Sequence, residues 1–101
     1  YQKEITLDHI IEVVCEYLNL DFARFNSTER TREIAQARQI AMYLIRRMTN
    51  LSLKEIGKEF EGRDHTTVLH SIERIEDLSK NDPEKAEIIK DITANINIRY
   101  E

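Results

Sequence analysis

Apolar residues recur three and four positions apart along almost the whole chain, and no stretch alternates with period two. That pattern calls for helices with one buried stripe each and leaves no material for a sheet. Leu7, Ile10, Ile11, Val14 and Leu18 make the first stripe, behind Thr6 as an N-cap. Asp21 suits the cap of a short turn carrying Phe22 and Phe25, and Asn26-Ser27-Thr28-Glu29-Arg30 is a polar break. The longest helix is expected from about Thr31 to Thr49, with Ile34, Ala37, Ala41, Leu44 and Met48 on one stripe and Ile40 and Ile45 widening it. Ser52-Leu53-Lys54-Glu55 has capping-box form and opens a short helix with Leu53, Ile56 and Phe60 inward. Gly62 breaks that helix, and Asp64 suits the N-cap of the next, with Val68, Ile72, Ile75 and Leu78 inward. Asp82-Pro83 opens the last, with Ile89, Ile92 and Ile96 inward. The expectation is an all-α bundle of about six helices, one domain over residues 1–101, with a helix-turn-helix at about 52–79.

Composition removes several function classes. Two glycines provide no phosphate loop, so nucleotide hydrolysis is not expected. One cysteine, Cys15, excludes an internal disulfide and a Cys-based zinc cluster and fits a reducing compartment. His65 and His70 are five apart, the wrong spacing for an i, i+4 metal pair, and His9 with Glu12 reads as a solvated pair. No serine sits in an elbow motif, so the chain is not expected to be an enzyme or to bind a metal. The longest apolar runs, such as Ile40 to Ile45, are far short of a membrane span, and no signal-peptide pattern precedes them. The chain begins Tyr1-Gln2-Lys3-Glu4 rather than with Met, as expected of a fragment of a longer protein. Tyr17, Phe22, Phe25, Tyr43 and Phe60 are expected in the core.

The net charge of −4 argues against a nucleic-acid binder until its distribution is considered. Residues 1–23 carry −4, residues 24–74 carry +3, and residues 75–101 carry −3. Every arginine but Arg99 lies in the basic middle, and arginine's fork suits phosphates and guanine edges. Within that middle, Leu51 to Ile75 has the form of a helix-turn-helix. Its second helix opens with Asp64-His65-Thr66-Thr67, side chains of a size and chemistry able to reach base edges from a helix N-terminus. The same residues also suit an ordinary capped helix. Three readings remain open on this ground: a sequence-specific DNA-binding module, a helix-turn-helix transcription regulator, and a helical protein-interaction module with a basic face.

The run Ser52-Leu53-Lys54-Glu55-Ile56-Gly57-Lys58-Glu59-Phe60-Glu61-Gly62-Arg63-Asp64-His65-Thr66-Thr67-Val68-Leu69-His70 resembles the C-terminal signature of the DnaA family of bacterial chromosomal replication initiators. Ala37-Arg38-Gln39-Ile40-Ala41-Met42-Tyr43-Leu44 resembles that family's long helix, so the resemblance covers essentially the whole chain as a DNA-binding domain. It implies binding to the DnaA box, a short AT-rich duplex repeated at the replication origin. It implies base reading by Asp64, His65 and Thr66 in the major groove and by Arg30 in the minor groove. Phosphate contacts are implied for Arg38, Gln39, Arg46, Thr67 and His70, with Lys54 and Arg74 beside them. ATP is expected only in a separate AAA+ domain, so this fragment needs no cofactor. It is expected to be monomeric and to work in the cytoplasm on the nucleoid, with oligomerisation left to other domains and no membrane partner. Two departures from the family pattern stand out. Thr28-Glu29-Arg30-Thr31-Arg32 is less basic than usual, so Glu29 is expected to weaken binding, and Gln36-Ala37 replaces an Arg-Pro pair with little effect.

Overall fold

The computed structural model describes residues 4–100, which form six helices and no strand. They are α1 (Leu7–Tyr17), α2 (Phe22–Phe25), α3 (Arg32–Met48), α4 (Leu53–Glu59), α5 (His65–Asn81) and α6 (Pro83–Tyr100). Local chemistry accounts for most boundaries. The Thr6 hydroxyl accepts from the His9 amide while His9 Nδ1 accepts from the Thr6 amide, closing a reciprocal cap on α1. Thr31 caps α3, Ser52 and Glu55 make the capping box of α4, and Asp82 accepts from the amides of Glu84 and Lys85 at the start of α6.

α1 ends differently. Asn19 takes a left-handed conformation with φ 55°. The Asn19 amide donates to the Glu16 carbonyl and the Leu20 amide to the Cys15 carbonyl, the two bonds of a Schellman motif.

α3 is the axis of the molecule, packing against α1, α2, α4 and α5, and it buries Ile34, Ala37 and every residue from Ile40 to Ile45. Ile10 and Val14 of α1, Val68, Ile72 and Ile75 of α5, and Ile89, Ile92 and Ile96 of α6 complete the core, with Phe25, Ile56 and Phe60. Phe25 and Phe60 meet edge to face, their centroids 6.0 Å apart, which ties α2 to the end of α4.

Two aromatics expected in the core lie at its margin. Tyr17 is 37% exposed because its hydroxyl reaches Asp91 on α6 at 2.9 Å. Phe22 is 57% exposed, since Phe25 fills the inward position of the four-residue α2.

The turn between α4 and α5 depends on both glycines, in different ways. Glu61 and Gly62 have φ of 63° and 67°, two successive left-handed residues that reverse the chain. This brings the Arg63 amide onto the Gly57 carbonyl at 2.9 Å. Nothing lies within 4 Å of a Cβ built at Gly62, so Gly62→Ala is expected to cost only its dihedral strain, about 1–2 kcal/mol by denaturant melts.

Candidate nucleic-acid interface

The turn that Gly57 and Gly62 make possible presents the first turn of α5 to solvent. Asp64, His65, Thr66 and Thr67 are all exposed, while Val68, Ile72 and Ile75 anchor the opposite face of the helix in the core. Asp64 occupies the N-cap position with extended backbone, but its side chain makes no cap bond. Its carboxylate lies 3.0 Å from His65 Nδ1 instead. The α5 amides are therefore left without the carboxylate partner expected of an aspartate there, and a helix start of this kind attracts anions. His70 and Arg74 follow on the exposed side of α5. Leu69, 40% exposed, stands there too and was passed over in the sequence. Its position outside the Val68, Ile72, Ile75 stripe was the available signal.

Arg30 is exposed in the segment between α2 and α3, and Arg38 determines how that segment is held. The Arg38 side chain is buried, with its Nε donating to the Phe25 carbonyl at 2.9 Å and Nη1 to the Glu29 carbonyl at 2.7 Å. Its Nη2 donates to the carbonyls of Ser27 at 2.5 Å and Arg24 at 3.4 Å. Burial pushes the guanidinium pKa down from its ordinary value, with Arg30 and Arg63 adding repulsion and Glu61 opposing it. The phosphate contact expected of Arg38 is thereby corrected: its donors are turned inward onto the loop that carries Arg30. Position 38 follows Ile34 by four and precedes Ala41 by three, so the apolar stripe itself marked it as an inward position.

Arg38 also joins two parts of the surface. Phe25 at the end of α2 and Asn26 and Ser27 of the loop after it border one small cleft with Arg38 of α3 and with Phe60, Glu61 and Arg63 from the α4–α5 turn. The loop bearing Arg30 thus lies beside the turn that leads into the α5 N-terminus. Glu29, expected to weaken binding, is paired with a side chain of α2. Arg24 grips its carboxylate through two nitrogens, at 2.7 and 3.3 Å, and this hydrogen bonding holds its pKa below the usual carboxylate range.

The remaining residues are dispersed around these elements. Gln39, half-buried on α3, shares a groove with Arg74 of α5. Arg46 is exposed and donates to the Leu51 carbonyl at 2.9 Å, bracing the link to α4, where Lys54 is exposed. Among the described residues, no ion pair ties Arg30, Arg46, Lys54 or Arg74 to a carboxylate. The acids of α1 are differently placed: Glu12 and Glu16 pair with Arg99, and Glu12 also accepts from Tyr100. No group of three or more His, Cys, Asp or Glu among the described residues is placed to hold a metal, and no helix is long and apolar enough to cross a membrane.

Residues 7–75 match the family model described as the bacterial DnaA protein helix-turn-helix. The chain belongs to the DnaA family. It is 48% identical over 94 residues to the chromosomal replication initiator protein DnaA of Caldanaerobacter subterraneus subsp. tengcongensis, which covers 93% of this chain and 21% of that relative. The chain thus spans about a fifth of the length of the curated DnaA it matches. Its place is that of the C-terminal helix-turn-helix domain of DnaA. All the candidates from Arg30 to Arg74 fall inside residues 7–75, the span of the family model, whereas α6 lies beyond that span and is reached only by the longer alignment with the relative.

Proposed function

We propose that this chain is the double-stranded DNA-binding module of a DnaA-type replication initiator and that it recognises the DnaA box. The observation that carries the reading is the start of α5, with four exposed polar side chains and an N-cap aspartate that is not spent on capping. A helix presented this way enters the major groove by its N-terminus. Asp64 accepts from a cytosine amino group, His65 bonds to a base edge, and Thr66 brings a hydroxyl and a methyl to bases such as thymine. Leu69, one turn on from Thr66, adds an apolar surface of the same use. Arg30 extends from its braced loop into the narrow, negative minor groove of an AT-rich site. Gln39, Arg46, Lys54, Thr67, His70 and Arg74 hold phosphates on either side. The module is non-catalytic and needs neither nucleotide nor metal. It acts as a monomer on DNA in the cytoplasm, with assembly supplied by the rest of the full-length protein.

A mobility shift with a box duplex and a scrambled duplex tests this reading. The box is expected to bind at least tenfold more tightly, and equal affinity for the two would contradict it. Two arginines separate reading from holding. Arg30→Ala should cost about 1–3 kcal/mol on the box and little on scrambled duplex. Arg46→Ala should weaken both by a similar factor and flatten the log–log salt slope by about 0.9, the contribution of one phosphate. Identical behaviour of the two variants would remove minor-groove reading from the account.

A further inference from the structure

Arg32 and Gln39 of α3, Arg74 of α5 and Lys85 of α6 line an open groove of about 550 Å³, together with Ala35 and Gln36. Three cations and two amides face it from three helices, and no carboxylate lines it. Among the described residues, no ion pair takes up Arg32, Arg74 or Lys85. Lys85 is held in place without being neutralised: its Nζ donates to Gln36 Oε1 at 3.0 Å across the α3–α6 junction, which leaves ammonium protons for another acceptor. Asp82 is bonded to the α6 amides, and Glu33 lines the neighbouring groove on the other side of Gln36 and Lys85.

We propose that Arg32 and Lys85 bind the sugar-phosphate backbone of duplex DNA flanking the base-read site, extending the footprint past the recognition turn. This rests on the DNA-binding reading above. The groove is continuous with two of its phosphate contacts, Gln39 and Arg74, and Arg74 lies nine residues along α5 from His65, about 14 Å at 1.5 Å per residue. Phosphates followed along that path leave the reading turn and arrive at Arg32 and Lys85. Spaced cations without acids suit a row of phosphodiesters, each a single charge, and the glutamine amides can donate to the same oxygens. Lys85 belongs to α6, outside the span that the helix-turn-helix family covers, so this contact would be an addition made by the last helix.

The test uses two duplexes, one trimmed to the box and one extended by about half a helical turn (~5 base pairs) on each side. Anisotropy titrations over a salt series compare wild type with Arg32→Gln, Lys85→Gln and the double variant. Wild type should show a salt slope steeper on the extended duplex by about 1.8, two phosphates at 0.9 each. The double variant should lose that difference while keeping its affinity for the trimmed duplex and its preference for box over scrambled DNA. A double variant that matches wild type on both duplexes, or weakens on both equally, would overturn the proposal, as would a wild-type slope indifferent to length. Failure of the DNA-box reading itself would show differently, as wild type failing to prefer box over scrambled sequence.

Discussion

Arg38→Ala is expected to lower stability by about 3 kcal/mol and to erase most of the advantage of box over scrambled DNA, although Arg38 itself touches no base. The guanidinium makes four hydrogen bonds to the carbonyls of Arg24, Phe25, Ser27 and Glu29. Bonds to a charged donor contribute about 1.5–3 kcal/mol each, but three of the four bonds are only partly buried, so their freed carbonyls recover much of that from water, while the Phe25 carbonyl is buried. What water cannot restore is the loop's path and hence the place from which Arg30 departs. Two readouts distinguish this positioning role from a phosphate contact. Loss of a phosphate contact would weaken box and scrambled duplex alike and flatten the salt slope. Loss of positioning should weaken the box far more, leave the slope on scrambled DNA unchanged, and make Arg30→Ala nearly silent in the Arg38→Ala background. Arg38→Lys should resemble Arg38→Ala in its binding, since an ammonium cannot supply the planar fork that spans four carbonyls.

Gly57→Ala is expected to lower stability by a similar amount, about 3 kcal/mol, which is a melting temperature lower by roughly 15 °C for a domain of this size. A Cβ at Gly57 would stand 2.1 Å from the Arg63 carbonyl oxygen and 3.2 Å from its carbon. Those are backbone atoms, so no rotamer change relieves the contact, and the whole α4–α5 turn must shift. The ordinary gain of alanine over glycine inside a helix, about 1 kcal/mol, offsets only part of this. Because the turn sets the angle of α5, residual folded protein should also lose box preference. A Gly57→Ala protein that melts like wild type would show that the close approach of Arg63 to Gly57 is not what sets the turn.

Those two residues also mark where the sequence was readable and where it was not. Helix content, the caps at Thr6, Ser52 and Asp82, and the buried stripes of α3, α5 and α6 were legible because each depends on neighbours within one or two turns. The exposed start of α5 was legible for the same reason. The phosphate contact of Arg38 came from the family resemblance, whereas its spacing from Ile34 and Ala41 is that of a core position, where the side chain is buried. Gly57 was overlooked because its role depends on Arg63, six residues away through a left-handed turn that no local pattern specifies. Tyr17 and Phe22 were assigned to the core on hydrophobicity alone, which does not reveal a hydroxyl partner on α6 or a one-turn helix too short to bury both its rings. Asp64 was expected to cap α5, and its side chain turns to His65 instead.

The central claim is that the first turn of α5 reads bases, and Thr66→Ala and His65→Ala test it most directly. Both side chains are exposed and neither supports the core, so the variants should melt like wild type. Affinities for box and scrambled duplex, measured at one salt concentration, should show each variant losing about 1–3 kcal/mol on the box and almost nothing on the scrambled sequence. Equal losses on both duplexes, or no loss on either, would contradict the claim.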